Sequence, residues 1–141
     1  MSKGQQPNRR GTPPPRVERV APYSQADPMG QGGYPLLSLR YLQPRFGTQA
    51  LSSDQCRSFL EKWAKRSMFT WLELSRQGRH GLGYEMLPHS QIHPRPPEFL
   101  RRDEYMIFRH EGNHPFAGIK IGDVFFVLWI EARYGDLYAH G

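Results

Sequence analysis

Seven consecutive apolar residues, VFFVLWI at 124–130, constrain this chain more than anything else in it. A strand with one wet face alternates apolar and polar residues, and this run does not. It therefore predicts a central strand, or one covered on both sides. Just beyond it the chain turns polar and titratable, with Tyr134, Tyr138 and His140 close together near residue 141.

The segments before it supply the covering material. In LSSDQCRSFLEKWAKRS, Ser52 and Gln55 have capping-box spacing. Cys56, Phe59, Leu60, Trp63 and Ala64 recur at helical intervals, which predicts one buried face. A second helix is expected from Ser67 through MFTWLELSRQ, with Met68, Trp71, Leu72 and Ser75 on one face and Gly78 ending it. Strands are expected at about 36–42, at 82–87, at EYMIFRH and at FAGIKIG. Gly112-Asn113 and Gly122-Asp123 stand where hairpin turns belong. Residues 88–103 are Pro-rich and aperiodic, a long loop for a compact domain. The fold class that follows is α+β: a helix pair packed on a twisted antiparallel sheet of four to five strands.

Residues 1–33 are different in kind. GTPPPRVER and ADPMGQGG hold few apolar residues, too few to offset the entropy of ordering them. A disordered, basic Pro/Gly-rich tail is expected there, either a mere extension or an arm for nucleic acid. Residues 34–141 make the folded domain. The tail carries five Lys/Arg against two acids, within a net charge of +6 for the whole chain. Such a surplus favours a polyanionic partner, nucleic acid before an anionic membrane.

Cys56 is the single cysteine, so neither an intrachain disulfide nor a cysteine-based zinc site can form. That suits a cytoplasmic location. No apolar run approaches the roughly 18 residues of a membrane span, and the N-terminus has no secretory pattern. Phosphate-cradling glycine loops, nucleophile elbows and helical zinc-protease pairs are all missing. His89 and His93 are four apart but flanked by Pro88 and Pro94, which opposes a helical ligand pair. His110 and His114 are the pair a zinc site would use. No metal and no cofactor are expected.

What remains is basic, aromatic and titratable. Arg109 ends the 104–110 strand, and Tyr138 and His140 follow a strand two steps along. In an antiparallel meander those two strands run alike, so the groups fall at one end of the sheet. Arginine grips phosphate, histidine exchanges a proton near neutrality, and tyrosine stacks on a base or bonds a phosphate oxygen. Glu85 is the candidate partner base or orienting carboxylate. A wider nucleic-acid surface is expected from Lys62, Lys65 and Arg66 on the outside of the first helix, from Arg76, Arg79 and His80, and from Lys120.

The element order, the basic charge and the closing residues resemble the RelE/ParE-type bacterial toxins, over about residues 36–141. Within that group the YoeB-like ribosome-dependent mRNA endonucleases use a strand Glu, a mid-sheet Arg and a C-terminal His-Tyr pair. The resemblance implies that Glu85, Arg109, Tyr138 and His140 fill those catalytic roles. It departs from the pattern in YAH, where Ala139 separates the pair, in the longer 88–103 loop and in the tail. It implies the toxin of a toxin–antitoxin pair: a metal-independent RNA endonuclease acting on RNA such as ribosome-bound mRNA, and neutralised by an acidic antitoxin. Two alternatives stand beside it: a non-catalytic module binding nucleic acid or protein, and a gyrase-inhibiting toxin of the same fold.

Overall fold

A computed structural model of the protein describes residues 33–140. The expected tail lies outside them, apart from Gly33. Strands β1 (Leu36–Ser38), β2 (Glu85–Pro88), β3 (Glu104–Arg109), β4 (Pro115–Ile121) and β5 (Val124–Ile130) form one sheet in the order β1-β5-β4-β3-β2. Helices α1 (Ser53–Arg66) and α2 (Trp71–Ser75) are inserted between β1 and β2. The class is α+β. The sheet is mixed, however, where an antiparallel one was expected: β1 runs parallel to β5, with Leu36 opposite Val124. No tight turn joins those two strands, so hairpin logic does not set their direction.

The apolar run of β5 is covered on both faces. On the first, Phe125, Val127 and Ile130 join Phe59, Trp63, Trp71 and Leu74 from the helices. On the second, Leu128 and Trp129 join Ile92, Leu100, Leu137 and Tyr138. Adjacent residues 128 and 129 share a face because the β4–β5 register slips between Ala117 and Gly118. Such a bulge sets two residues against one and interrupts the alternation. Gly118 permits it, since a Cβ there would stand 2.0 Å from the Phe126 carbonyl oxygen.

The Ser52–Gln55 capping box forms as its spacing predicts. The buried stripe of α1 is narrower than expected and rotated, comprising Phe59, Trp63 and Arg66. Leu60 is 63% exposed, and Ala64 is exposed too. The aromatic packing decides this: Phe59 lies 4.8 Å edge-on to Phe116, and Trp63 stacks 5.8 Å from Phe125. Helix α2 starts at Trp71 and not at Ser67, because Thr70 and Glu73 form a second capping box. Consequently Trp71 and Leu74 are buried, while Met68 and Leu72 are exposed.

The 88–103 loop is the cover of the second face. It contributes buried Ile92 and Leu100, and short 3₁₀ turns at His89–Gln91 and Glu98–Leu100. Its His93 N–H donates to the Leu137 carbonyl at 2.8 Å, joining it to the C-terminal turn.

Candidate functional site

Alternation along β3 sends Met106 and Phe108 to the helix face, and Tyr105 and Ile107 to the other. Arg109 extends the second row. On β2, Glu85 is opposite Ile107 and two residues before Leu87, which packs on the same second face. The start of β2 and the end of β3 are neighbours, so the carboxylate and the guanidinium meet. Arg109 Nη2 donates to Glu85 Oε2 at 2.7 Å and to Tyr138 Oη at 3.2 Å. Arg79 Nη1 donates to the other carboxylate oxygen at 2.7 Å.

Burial alone pushes the Glu85 carboxyl up. The hydrogen bonds and charges of Arg109 and Arg79 outweigh it and hold the group below its ordinary value. Glu85 is thus an ionised, weakly basic carboxylate that holds two arginines, a poorer proton acceptor than an imidazole. Burial pushes Tyr138 up, which keeps its hydroxyl neutral. Because Tyr138 Oη accepts from Arg109, its own proton is free to point elsewhere.

His140 joins through Tyr138. Its ring stacks between Tyr138 at 4.5 Å and Tyr134 at 3.9 Å. Its Nε2 donates to Glu131 Oε2 at 3.1 Å. Glu131 is fully buried, and the same oxygen accepts the Gly135 and Leu137 N–H groups at 3.2 and 3.0 Å. The C-terminal turn is therefore wound around one carboxylate. With Nε2 engaged, Nδ1 makes no hydrogen bond to the described residues, and the side chain is 8% exposed. His114 Nδ1 lies 3.3 Å from Glu131 Oε1, at ion-pair distance but without hydrogen-bond alignment. His110 Nε2 donates to the Glu131 carbonyl, and burial lowers its pKa to about 4, so it is neutral at physiological pH. Among the described residues, no group of three or more His, Cys, Asp or Glu is placed to hold a metal ion.

Glu85, Arg109, Tyr138 and His140 thus form one cluster, with Arg79 in contact. Of the wider basic set, Arg79 bonds Glu85 and its Nε donates to His80 Nε2 at 3.4 Å; the rest does not converge on the cluster. Lys62 and Lys65 lie on α1, which packs on the opposite face of the sheet. Arg76 and His80 are exposed in the α2–β2 connection. Lys120 Nζ sits 5.0 Å over the Trp71 ring on the helix side. Since Arg109 is opposite Pro115, Lys120 is about 17 Å further along β4 at ~3.4 Å per residue, so the two cannot share a phosphate.

Arg66 is a correction. It is fully buried, not an outward contact. Its guanidinium donates to the Leu82 and Arg109 carbonyls, both at 2.8 Å, and lies 4.7 Å over the Phe108 ring. Burial lowers its pKa to about 10, which still leaves it cationic at neutral pH. It positions the Arg109 backbone from the helix side. Sequence reasoning missed Glu131, for which an acid directly following seven apolar strand residues was the available signal; it grouped Tyr134 with Tyr138 and His140 but gave it no role.

Among the described residues, no helix is long and apolar enough to cross a membrane. No protein-family profile matches the chain, and neither does any curated protein or solved structure.

Proposed function

We propose that the protein is a toxin-type RNA endonuclease working through its own acid–base groups, in the cytoplasm and under the control of an acidic antitoxin. One observation carries the reading: Arg109 bonds both Glu85 and Tyr138, while His140 stacks on the Tyr138 ring. A carboxylate, a guanidinium, a phenol and an imidazole thus meet on the sheet face away from the helices.

In this reading His140 Nδ1 removes the 2′-hydroxyl proton of the RNA, and the Glu131 carboxylate stabilises the imidazolium that forms. The 2′-oxygen bonds to the adjacent phosphorus and the bond to the 5′-oxygen breaks. The Tyr138 hydroxyl, which burial keeps protonated, gives its proton to the departing 5′-oxygen. Arg109 and Arg79 offset the charge growing on the phosphoryl oxygens. Glu85 holds those arginines in place. The products are a 2′,3′-cyclic phosphate and a 5′-hydroxyl end.

The test is expression of the full chain, with and without His140→Ala, alongside cleavage of end-labelled RNA. The unmutated chain should arrest growth and give cyclic-phosphate ends, and His140→Ala should slow cleavage by ~100-fold or more. Normal growth and intact RNA with the unmutated chain would overturn the reading. A non-catalytic RNA-binding role is favoured by one feature: the Arg109 and His140 side chains are each only 8% exposed. Retention of RNA without cleavage selects it.

A further inference from the structure

An open groove of about 830 Å³ lies between the Gln43–Phe46 segment, the His93–Arg95 stretch of the second-face cover and the C-terminal turn. Trp129 is at its base, and Arg45, Arg95 and Arg133 line it against one acid, Asp136. The volume is within the roughly 300–1,000 Å³ typical of ligand pockets. Nothing in the cluster chemistry described above uses it.

Two features set the groove apart from an ordinary basic surface. The first is Arg45, whose φ is 75°, in the left-handed region that disfavours any residue with a Cβ. The flanking chain holds it there. The Gln43 N–H donates to the Leu128 carbonyl at 2.9 Å, and the Ile130 N–H donates to the Phe46 carbonyl at 2.8 Å. Strain enforced in this way is characteristic of functional positions. The second is that the guanidiniums are held to different degrees. Arg95 Nη1 donates to the Ile92 carbonyl at 3.0 Å and is fixed. Arg133 is 86% exposed and lies 3.6 Å from Asp136, a loose pair that a stronger anion can displace.

Guanidinium forks match phosphate oxygens, and their planes, like the walls formed by Pro44 and Phe46, accept a stacked base. An open trough suits a strand passing through it. The turn 131–140 supplies both Arg133 and Asp136 to the groove and Tyr138 and His140 to the cluster. Phe46 and Trp129 of the groove pack on the same sheet face as the cluster, while Ala50 and Ala132 carry its lining to the start of α1, where Gln55 donates to the Ala132 carbonyl at 2.9 Å.

We propose that this groove binds a nucleotide unit of single-stranded RNA, with its phosphate on Arg45 and Arg133, as a subsite flanking the cleaved bond. The identity of the polymer rests on the endonuclease reading; the binding itself does not require cleavage.

The experiment uses the full chain and a fluorescent single-stranded 2′-O-methyl RNA octamer, which has no free 2′-hydroxyl to react. Anisotropy is read between low and moderate salt. Arg45→Gly with Arg133→Ala should weaken binding about tenfold and reduce the logarithmic salt slope by about 1.4, two phosphate contacts at ~0.7 each. The charge-matched pair Arg57→Ala with Arg101→Ala should shift affinity less than twofold. Arg45→Gly alone should raise the melting temperature while weakening binding, since glycine relieves the φ.

The proposal is overturned by no binding to the unmutated chain, by equal losses in the two double variants, or by raised melting with unchanged affinity. Binding of fluorescent poly-glutamate without any RNA binding would assign the groove to an acidic protein and overturn it as well. If the groove variants lose octamer binding but His140→Ala still cuts RNA, the catalytic reading fails and the subsite stands.

Discussion

Glu85 shows how one side chain can organise a site without performing its chemistry. Arg109 is 7% exposed, so its charge needs a partner close at hand, and Glu85 supplies one at 2.7 Å. The folded carboxyl is held below its ordinary value. The folded state therefore gives up its proton more readily than the unfolded chain does. The resulting stabilisation is present above the unfolded carboxyl's pKa of about 4.3, and it is lost as pH falls through the lower folded value. Glu85→Gln should destabilise the protein by about 2 kcal/mol at pH 7, with the gap to the unmutated chain closing below about pH 4. Urea unfolding at a series of pH values reads this; a gap that stays constant into acid would show that the Arg109 bond contributes through shape and not charge. Meander order, a short-range rule, puts Arg109 with Tyr138 and His140 at one end of the sheet, whereas Glu85 reads from the sequence as a base or a partner for the imidazole and not as the partner of Arg109. The sequence could not show Arg66 turning inward, since a cation at a helical position reads as solvated until the two carbonyls that receive it are in place.

At the scale of elements, local signals were legible where a side chain bonds its own neighbourhood. Ser52 and Gln55 started α1 as their spacing implied, and glycines at 112 and 122 adopt the positive φ that hairpin turns demand. The signals failed where distant packing chose between options. Helix α2 is short because the Thr70–Glu73 box, itself a local signal, starts it at Trp71, whereas the parallel β1–β5 pair leaves no mark in either strand. The bulge in the β4–β5 pair is of this second kind. Phe126, Leu128 and Trp129 read as an unbroken run, yet Leu128 and Trp129 share a face only through the slip at Gly118. A methyl group at 118 has no room, its nearest neighbour being backbone and not a movable side chain. Gly118→Ala should cost about 2–4 kcal/mol, in the upper part of the ~1–3 kcal/mol usual for overpacking or above it. Thermal unfolding measures it. A loss under 1 kcal/mol would mean that β4 can shift and that the bulge is not fixed by this contact.

At the scale of the whole molecule, the sheet is a partition between two kinds of cover. One face has regular helices built from aromatic residues; the other has the 88–103 loop, the Gln43–Phe46 segment and the C-terminal turn. Glu85, Arg109, Tyr138 and His140 are on the irregular side, whereas Lys62, Lys65 and Lys120, expected to contact nucleic acid, are on the helical side. Helices cap one surface by repeating a stripe, and they leave their outer face uniform. Loops can instead bring Glu131, Tyr134, Tyr138 and His140 to one point while a neighbouring loop holds them from above. The cover must then supply core packing as well as site geometry, and Leu100 separates the two duties. It is buried in the same apolar cluster as Ile92, Tyr105, Leu137 and Tyr138 and has no polar side-chain group to enter the proposed catalytic bonds. Leu100→Ala should lower the unfolding free energy by about 3 kcal/mol, as for other buried leucines. Because the loop is bonded to Leu137 through His93, the loss should also loosen the turn carrying Tyr138 and His140. The expected signature is faster amide exchange at residues 131–140 with little change in α1. If exchange instead rises evenly across both faces, the cover and the helices unfold as one unit, and the C-terminal turn is held by Glu131 without help from the loop.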